Sequence, residues 1–362
     1  MHAKRASVVA ADLPQWVLTK YVRTWYWISR KIMGLVRECI VLVQCWEART
    51  HNHNRKLGRG MLQGVLASIV ASCIFGGIYF LAPLLQPLSG EQIFGWRMLV
   101  TIPFTTAWLI YSGQGPAVAA VLQRVAQRWS FALMLLLSSA LAGVQLWLFM
   151  WAPLHGHALP VSLGYFLLPL ALVLAGRLVF KERLTGWQTA AAVLSGCGVL
   201  WEVWRAGGLA WSTWVVVIGY PAYFVLRRLL HTNTLAGHWL DVVLMLPVCA
   251  WFAFASTAGG SGWLAVQSTP LLHTLVPLLG ICSALALALY MTASRLLPLG
   301  LFGLLSYVEP VLLVVAALLV GERMQAGQEP MYVLIALGVG MLALEGAWQM
   351  RRAKAQVVPA SA

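Results

Sequence analysis

Apolar stretches of about 20 residues recur along the chain from residue 60 onward, which is the length a helix needs to cross the hydrocarbon core of a bilayer. This pattern predicts an all-α integral membrane protein with ten transmembrane helices. The predicted spans are residues 61–82, 93–112, 130–152, 161–180, 185–204, 209–229, 238–256, 271–293, 299–320 and 331–350.

The composition supports a lipid environment. Hydrophobic residues make up 60% of the chain and charged residues only 10%, and the mean hydropathy is +0.78. Soluble domains carry roughly 25% charged residues. So few charges exclude a chain whose surface faces water throughout.

The net charge of +14 is distributed as in a membrane protein and not as in a nucleic-acid-binding protein. Most Lys and Arg fall in the leader, in alternate connections and in the tail, which is the pattern of segments that face the cytoplasm. We therefore expect a multi-pass protein of the bacterial inner membrane with both termini cytoplasmic, and no nucleic-acid partner. The basic connections contain Arg124 and Arg128, then Arg177, Lys181 and Arg183, then Arg227 and Arg228, then Arg295.

Residues 1–59 form a basic leader with interspersed tryptophans and no signal-peptide pattern. Two interpretations stay open. The leader is either an amphipathic helix on the cytoplasmic membrane surface or an extension without a selected role, produced by an incorrectly assigned start codon.

The two halves of the chain resemble each other at an offset of about 140 residues. Each half has a Tyr, then a Pro, then a Glu-Arg corner, then a glycine-rich helix. The matching features are Tyr165, Pro169 and Glu182-Arg183 in the first half, and Tyr307, Pro310 and Glu322-Arg323 in the second. We interpret the Glu-Arg corners as caps of helix ends.

An odd number of spans per half requires the second half to be inverted in the membrane. Inverted five-helix repeats are a common plan of secondary transporters, with the substrate site between the halves. The predicted units are the leader 1–59, repeats 60–206 and 207–352, and a cytoplasmic tail 353–362.

The run Ser162–Leu170, the segment Leu148–Ala152 and the corner Lys181–Leu184 resemble the RarD group of EamA-domain proteins, in the drug/metabolite transporter superfamily. The resemblance covers residues 56–352. It implies ten helices, two inverted repeats and export of small metabolites or drugs.

The chain departs from that family's pattern at positions that are commonly polar. Leu168 stands where an Asn usually precedes the Pro, and Gln145 stands at a position that is usually Asn. Leu154 and Pro160 stand where an Asn and a Glu are found. If these groups touch substrate in relatives, the ligand of this protein is less polar.

Charged residues inside predicted spans are candidate functional groups, because each costs at least ~2.5 kcal/mol there. Glu309 lies about eleven residues into its span and precedes Pro310, which interrupts helix hydrogen bonding. It is the candidate proton carrier, and a structural Glu is the alternative.

Arg97 and Asp241 each lie six residues before a proline and are equivalent under the repeat. The inverted geometry places them at opposite mouths, where each would act as a gate or attract charged substrate. The alternative for both is a snorkelling or locally paired side chain.

The remaining candidates could line a path for an organic substrate, although such aromatics are more often packing or interface residues. They are Gln145, Trp147, Trp151, Tyr165 and Tyr307.

The predicted function is a secondary transporter, exporting a small metabolite or drug-like molecule, with protons as the candidate coupling ion. An intramembrane enzyme and a channel-like or lipid-handling protein are the alternatives. No enzyme motif, metal site or cofactor is predicted. The expected partners are the substrate and the lipid bilayer; the sequence does not set the oligomeric state.

Overall fold

The structure is a computed structural model, and it describes residues 55–181, 185–232, 234–257, 260–296, 305, 308–338, 340–341 and 344. The predicted tail, most of the leader, the Glu182-Arg183 corner and Tyr307 lie outside these residues.

The regular elements of the described chain are helices, apart from one hairpin of two-residue strands, β1 (Ser256–Thr257) and β2 (Gly260–Ser261). The helices are α1 (Arg55–Leu81), α2 (Gly90–Tyr111), α3 (Gly115–Gln127), α4 (Trp129–Trp151), α5 (Ala158–Phe180), α6 (Gly186–Ala206), α7 (Trp211–Leu230), α8 (Leu235–Phe254), α9 (Gly262–Ser268), α10 (Pro270–Leu296), α11 (Val308–Val320) and α12 (Glu329–Gly338).

Six of these helices are long and apolar enough to cross a membrane: α1, α2, α4, α7, α8 and α10. A seventh span is possible in α5, whose two halves meet at a bend of 45° beside residue 169. Two shorter apolar helices, α11 and α12, follow. The all-α membrane class is thus what the structure has, while ten spans and the inverted repeat stay predictions.

Helix α3 was not predicted, because its 13 residues are too few for a span and the sequence analysis treated them as a connection. Its Arg124 donates to the backbone oxygen of Leu230 at 2.9 Å and lies 4.8 Å above the ring of Phe131. The helix is thereby fixed to the ends of α4 and α7.

Glycines allow α2 to approach its two neighbours closely. A Cβ at Gly95 would lie 2.4 Å from the backbone oxygen of Cys249 in α8. A Cβ at Gly280 in α10 would lie 2.3 Å from Cγ1 of Val100. These contacts set α2 between α8 and α10, so its side chains reach the interior of the bundle.

Polar contacts join connections at two ends of the bundle. At the Glu322 end, named for that residue, the Gln92 amide donates to the backbone oxygens of Ala255 at 3.0 Å and Gly260 at 3.1 Å. At the Arg227 end, α3 contacts the end of α7. Each end gathers connections that the sequence predicts on one side of the membrane.

Candidate functional site

The first site residue, Arg97, is positioned by a well-capped helix. Ser89 is the N-cap of α2, and its hydroxyl and the Gln92 side chain form a reciprocal capping box. This cap fixes where α2 begins, about two turns before Arg97. The Arg97 side chain is only 3% exposed, so α2 carries a cation into the interior.

The guanidinium of Arg97 is only partly satisfied. Its Nε donates to Oγ of Ser283 in α10 at 2.8 Å, and its Cζ lies 5.4 Å from the centre of the Phe149 ring in α4. Its Nη1 is buried and has no hydrogen-bond partner among the described residues. The Ser283 hydroxyl in turn donates to the backbone oxygen of Leu279 at 2.7 Å.

Aromatic side chains surround this guanidinium. The hydroxyls of Tyr165 in α5 and Tyr220 in α7 are hydrogen-bonded at 2.8 Å. The Tyr165 ring lies 6.0 Å from Phe149, and Phe149 lies 4.8 Å from Tyr79 in α1. With Ser283 and Glu309, these residues form what we call the Arg97 cluster, to which six helices besides α2 contribute.

Glu309 belongs to this cluster through electrostatics. It lies in the first turn of α11, followed by Pro310, a position at which a proline is compatible with the helix. Arg97 interacts electrostatically with Glu309, Tyr165 and Tyr220. The structure therefore brings three of the predicted site residues together: Arg97, Tyr165 and Glu309.

Asp241 lies in a different cluster, at the Arg227 end. Its Oδ2 accepts from Nη1 of Arg227 at 3.0 Å and from the hydroxyl of Tyr223 at 3.0 Å. The other terminal nitrogen of Arg227 donates to the backbone oxygens of Thr232 and, at 2.8 Å, Thr234. Asp241 thus has the local pairing that the sequence analysis left open.

The other predicted residues lie apart from the Arg97 cluster. Trp147 donates to Glu91 at 3.3 Å, and Trp151 stacks on His155 at 4.1 Å between ring centres. Both tryptophans lie towards the Glu322 end. Gln145 is buried and donates to the backbone oxygen of Val215 at 2.9 Å, beside an apolar groove between α4 and α7.

The corner residue Glu322 caps a helix, as the sequence analysis interpreted it. Its two carboxylate oxygens accept from the backbone N–H groups of Ala158 at 2.6 Å and Leu159 at 2.7 Å, at the start of α5. Burial raises the pKa of this carboxyl, and the two backbone donors act in the opposite direction. A negative group at this end of α5 also complements the helix dipole.

Several residues of the two clusters were missed. Arg227 was counted as a loop charge because it stands in the last turn of α7, beside the connection. The 14-residue spacing to Asp241 across a short turn could have indicated the pair. Ser283, Tyr220 and Phe149 carry no signal in an apolar sequence, since only the packing of distant helices brings them to Arg97.

The chemistry that the Arg97 cluster offers is binding. It holds a cation with an unused donor, a carboxylate within electrostatic range and hydrogen-bonded tyrosines. Within the part of the chain that the structure describes, no three His, Cys, Asp or Glu side chains gather as a metal site would require.

Comparisons with known proteins place the chain among transporters. It is 39% identical to an uncharacterized transporter of Pasteurella multocida over 81% of this chain and 99% of that protein. It is 39% identical to the chloramphenicol-sensitive protein RarD of Pseudomonas aeruginosa, over 80% of this chain and 96% of that one. The RarD protein of Escherichia coli is 25% identical over 80% of this chain and 97% of its own length. The chain matches no protein-family model. Identity of this extent over nearly the whole of these relatives shows that the chain belongs to the RarD family of membrane transporters.

Proposed function

We propose that this protein is a secondary transporter that exports a small metabolite or drug-like molecule across the inner membrane, with protons as the coupling ion and both termini in the cytoplasm. The Arg97 cluster is the substrate and proton site in this proposal. The observation that carries it is the buried Arg97 guanidinium, whose Nη1 has no partner among the described residues and which lies within electrostatic range of Glu309 where seven helices converge.

A buried cation without a counter-charge lowers the stability of the folded protein, so its presence is better explained by a role in binding than by a role in stability. A buried polar group without a partner costs about 1–3 kcal/mol, and more if it is charged. Ionisable groups within transmembrane helices mark substrate and ion pathways. The two charges of the cluster come from α2 and α11, which belong to different predicted repeats, as expected for a site between two halves.

Glu309 is the group that we assign to the proton. The titratable and charged groups that face it are Arg97, Tyr165 and Tyr220, and their interactions with Glu309 change when it gains or loses a proton. A carboxyl that alternates between these states would couple substrate binding to a pH gradient.

The test uses inverted membrane vesicles, a panel of radiolabelled metabolites and a pH gradient imposed in either direction. Wild-type vesicles should accumulate a panel compound under one polarity and lose this accumulation with a protonophore. Glu309→Gln keeps the size and hydrogen-bonding ability but cannot titrate. It should keep exchange without a gradient and lose the gradient-driven accumulation.

Matched variants keep the result interpretable. Glu329→Gln removes an exposed carboxyl that bonds the backbone of Gly327, and it should transport as wild type does. Glu309→Asp keeps the titratable group and should retain part of the coupling. Rates are normalised to the amount of protein in the membrane. Gradient-driven accumulation by Glu309→Gln at the wild-type rate would refute the assignment of the proton.

A further inference from the structure

Arg97 differs from the other buried arginine in how its charge is balanced. Arg227 donates through both terminal nitrogens, to Asp241, Tyr223 and two backbone oxygens, which leaves only its Nε without a partner. Arg97 donates from Nε to Ser283, and its buried Nη1 has no partner within the part of the chain that the structure describes.

Arg97 also lacks a carboxylate in contact. Although Glu309 is within electrostatic range, the two described side chains form no ion pair within 4 Å, whereas Arg227 and Asp241 meet at 3.0 Å. A guanidinium binds carboxylates and phosphates well because its donors are arranged in a planar fork. The group that would give Nη1 a hydrogen-bond partner and the guanidinium a counter-charge is therefore an oxyanion.

The surroundings of Arg97 indicate the rest of the ligand. Three ring contacts of 4.8 to 6.0 Å join Tyr79, Phe149, Tyr165 and Tyr220 into a continuous aromatic wall. The hydroxyls of Tyr165 and Tyr220 share one hydrogen bond, which uses one of their two O–H donors, so the wall offers ring surface together with a polar hydroxyl pair. Aromatic rings pack well on flat apolar groups.

We propose that Arg97 binds the anionic group of the transported molecule, and that this molecule is a small organic carboxylate whose flat, apolar body packs on the aromatic wall. The assignment rests on the proposed function, because it names the substrate class of the same site. Arg97 supplies a charge-assisted hydrogen bond from Nη1, and Ser283 holds the guanidinium through Nε.

The binding test compares carboxylates with neutral amides of the same shape. The pairs are 3-phenylpropionate with 3-phenylpropionamide, and indole-3-acetate with indole-3-acetamide. Dissociation constants are measured by titration calorimetry on the full chain in phosphatidylcholine nanodiscs. Each carboxylate should bind at least about tenfold more tightly than its amide, as a hydrogen bond to a charged group provides.

Variants identify the arginine responsible. Arg97→Gln should reduce the preference for carboxylate to less than about twofold, and Arg97→Lys should retain part of it because the charge remains. Arg128→Gln removes an exposed arginine at the start of α4 and should leave the preference unchanged. If Arg97→Gln does not fold, Arg97→Lys decides the assignment: a reduced preference supports Arg97, and an unchanged preference refutes it.

Each outcome has a distinct meaning. Equal binding of acid and amide by the wild type, or no binding of any carboxylate, overturns the proposal.

The anionic headgroup of a lipid has the same chemistry, so nanodiscs containing phosphatidylglycerol form a second arm. If that lipid alone abolishes carboxylate binding, Arg97 is a lipid site and the proposal fails. If carboxylates bind in an Arg97-dependent way but are never transported, the carboxylate site is upheld and the transport function is refuted. If the amides are transported at the same rates as the carboxylates, the transport function is upheld and the carboxylate site is refuted.

Discussion

Two arginines inside the bundle, Arg97 and Arg227, are equally buried, but their surroundings indicate different roles. Asp241 supplies the counter-charge of Arg227 and joins α7 to α8, and the Tyr223 hydroxyl accepts from Arg227 and donates to Asp241. Arg97 is as deeply buried, but it has no carboxylate within ion-pair distance among the described residues, and its terminal Nη1 has no partner there. Arg227 thus has the surroundings of a structural ion pair, and Arg97 those of a binding group.

We expect Asp241→Asn to destabilise the protein, because it leaves the Arg227 cation buried without its counter-charge. Breaking a buried pair from one side costs about 3–5 kcal/mol. The midpoint of thermal unfolding of purified protein should fall by several degrees. The double variant Arg227→Met with Asp241→Leu removes both charges and should recover part of the loss. A midpoint unchanged by Asp241→Asn would contradict the structural role of the pair.

At the scale of single residues, the sequence predicts mainly the charged side chains that lie within apolar segments. Arg97, Asp241 and Glu309 stand out because charged groups in apolar helices are costly. Tyr220 and Ser283 do not, because tyrosine and serine are ordinary in such helices. Tyr165 is predicted as an aromatic that could line the path of an organic substrate, and the structure places it against Tyr220 in the Arg97 cluster.

Among the helices, the close approach of α2 and α10 builds the site. Gly280 lies against Val100, and the hydroxyl of Thr101 donates to the backbone oxygen of Gly280 at 3.3 Å. Ser283 follows Gly280 by about one turn and thus reaches Arg97, about one turn before Thr101. The distance between these two helices therefore determines whether Arg97 has its bonded partner.

We expect Gly280→Ala to separate α10 from α2, since the new Cβ would lie 2.3 and 2.4 Å from side-chain atoms of Val100. Overpacking of this kind costs about 1–3 kcal/mol. Thermal unfolding in detergent should shift downward, and transport should weaken as Ser283 withdraws. Gly196→Ala in α6 is the matched control, because no atom lies within 4 Å of its Cβ. Equal stability of the two variants would show that the helices can adjust without cost.

The presence of the long helices could be predicted from the length of the apolar segments, but the short helices could not. Each of the ten predicted segments coincides at least in part with a described helix. The bend in α5 falls at residue 169, which is a proline, so the proline indicates it whereas the apolar pattern does not. Helix α3 was missed for its shortness, and helix α9 because its seven residues fall in a predicted connection.

At the scale of the whole molecule, contacts at each end agree with the alternation read from the basic residues. Glu322 meets the start of α5, and Gln92 meets the β1–β2 hairpin, so connections predicted outside lie together. The internal repeat depends partly on Glu182-Arg183 and Tyr307, which lie outside the described residues. It therefore stays a prediction from the sequence.

The predicted orientation can be tested by cysteine labelling in a variant without native cysteines. His155→Cys should react with a membrane-impermeant maleimide in intact cells, because it is exposed at the Glu322 end. Gln123→Cys, exposed on α3 beside the Arg227 end, should react only after the inner membrane is permeabilised. Labelling of the Gln123 position in intact cells would reverse the assigned orientation.

The carboxylate of Glu322 has a consequence for the speed of any movement at its end. The loop after α11 can leave α5 only by breaking both bonds to Ala158 and Leu159. Water can replace these partners once the gap is wide enough to admit it, so the separated state is not greatly disfavoured. Before the gap admits water, the carboxylate and the two backbone N–H groups have lost their hydrogen bonds to each other and have not yet formed new ones with water. If the proposed transport cycle separates this loop from α5, the Glu322 cap would therefore raise the barrier between the two arrangements more than it changes their populations, and Glu322 would set the rate of opening.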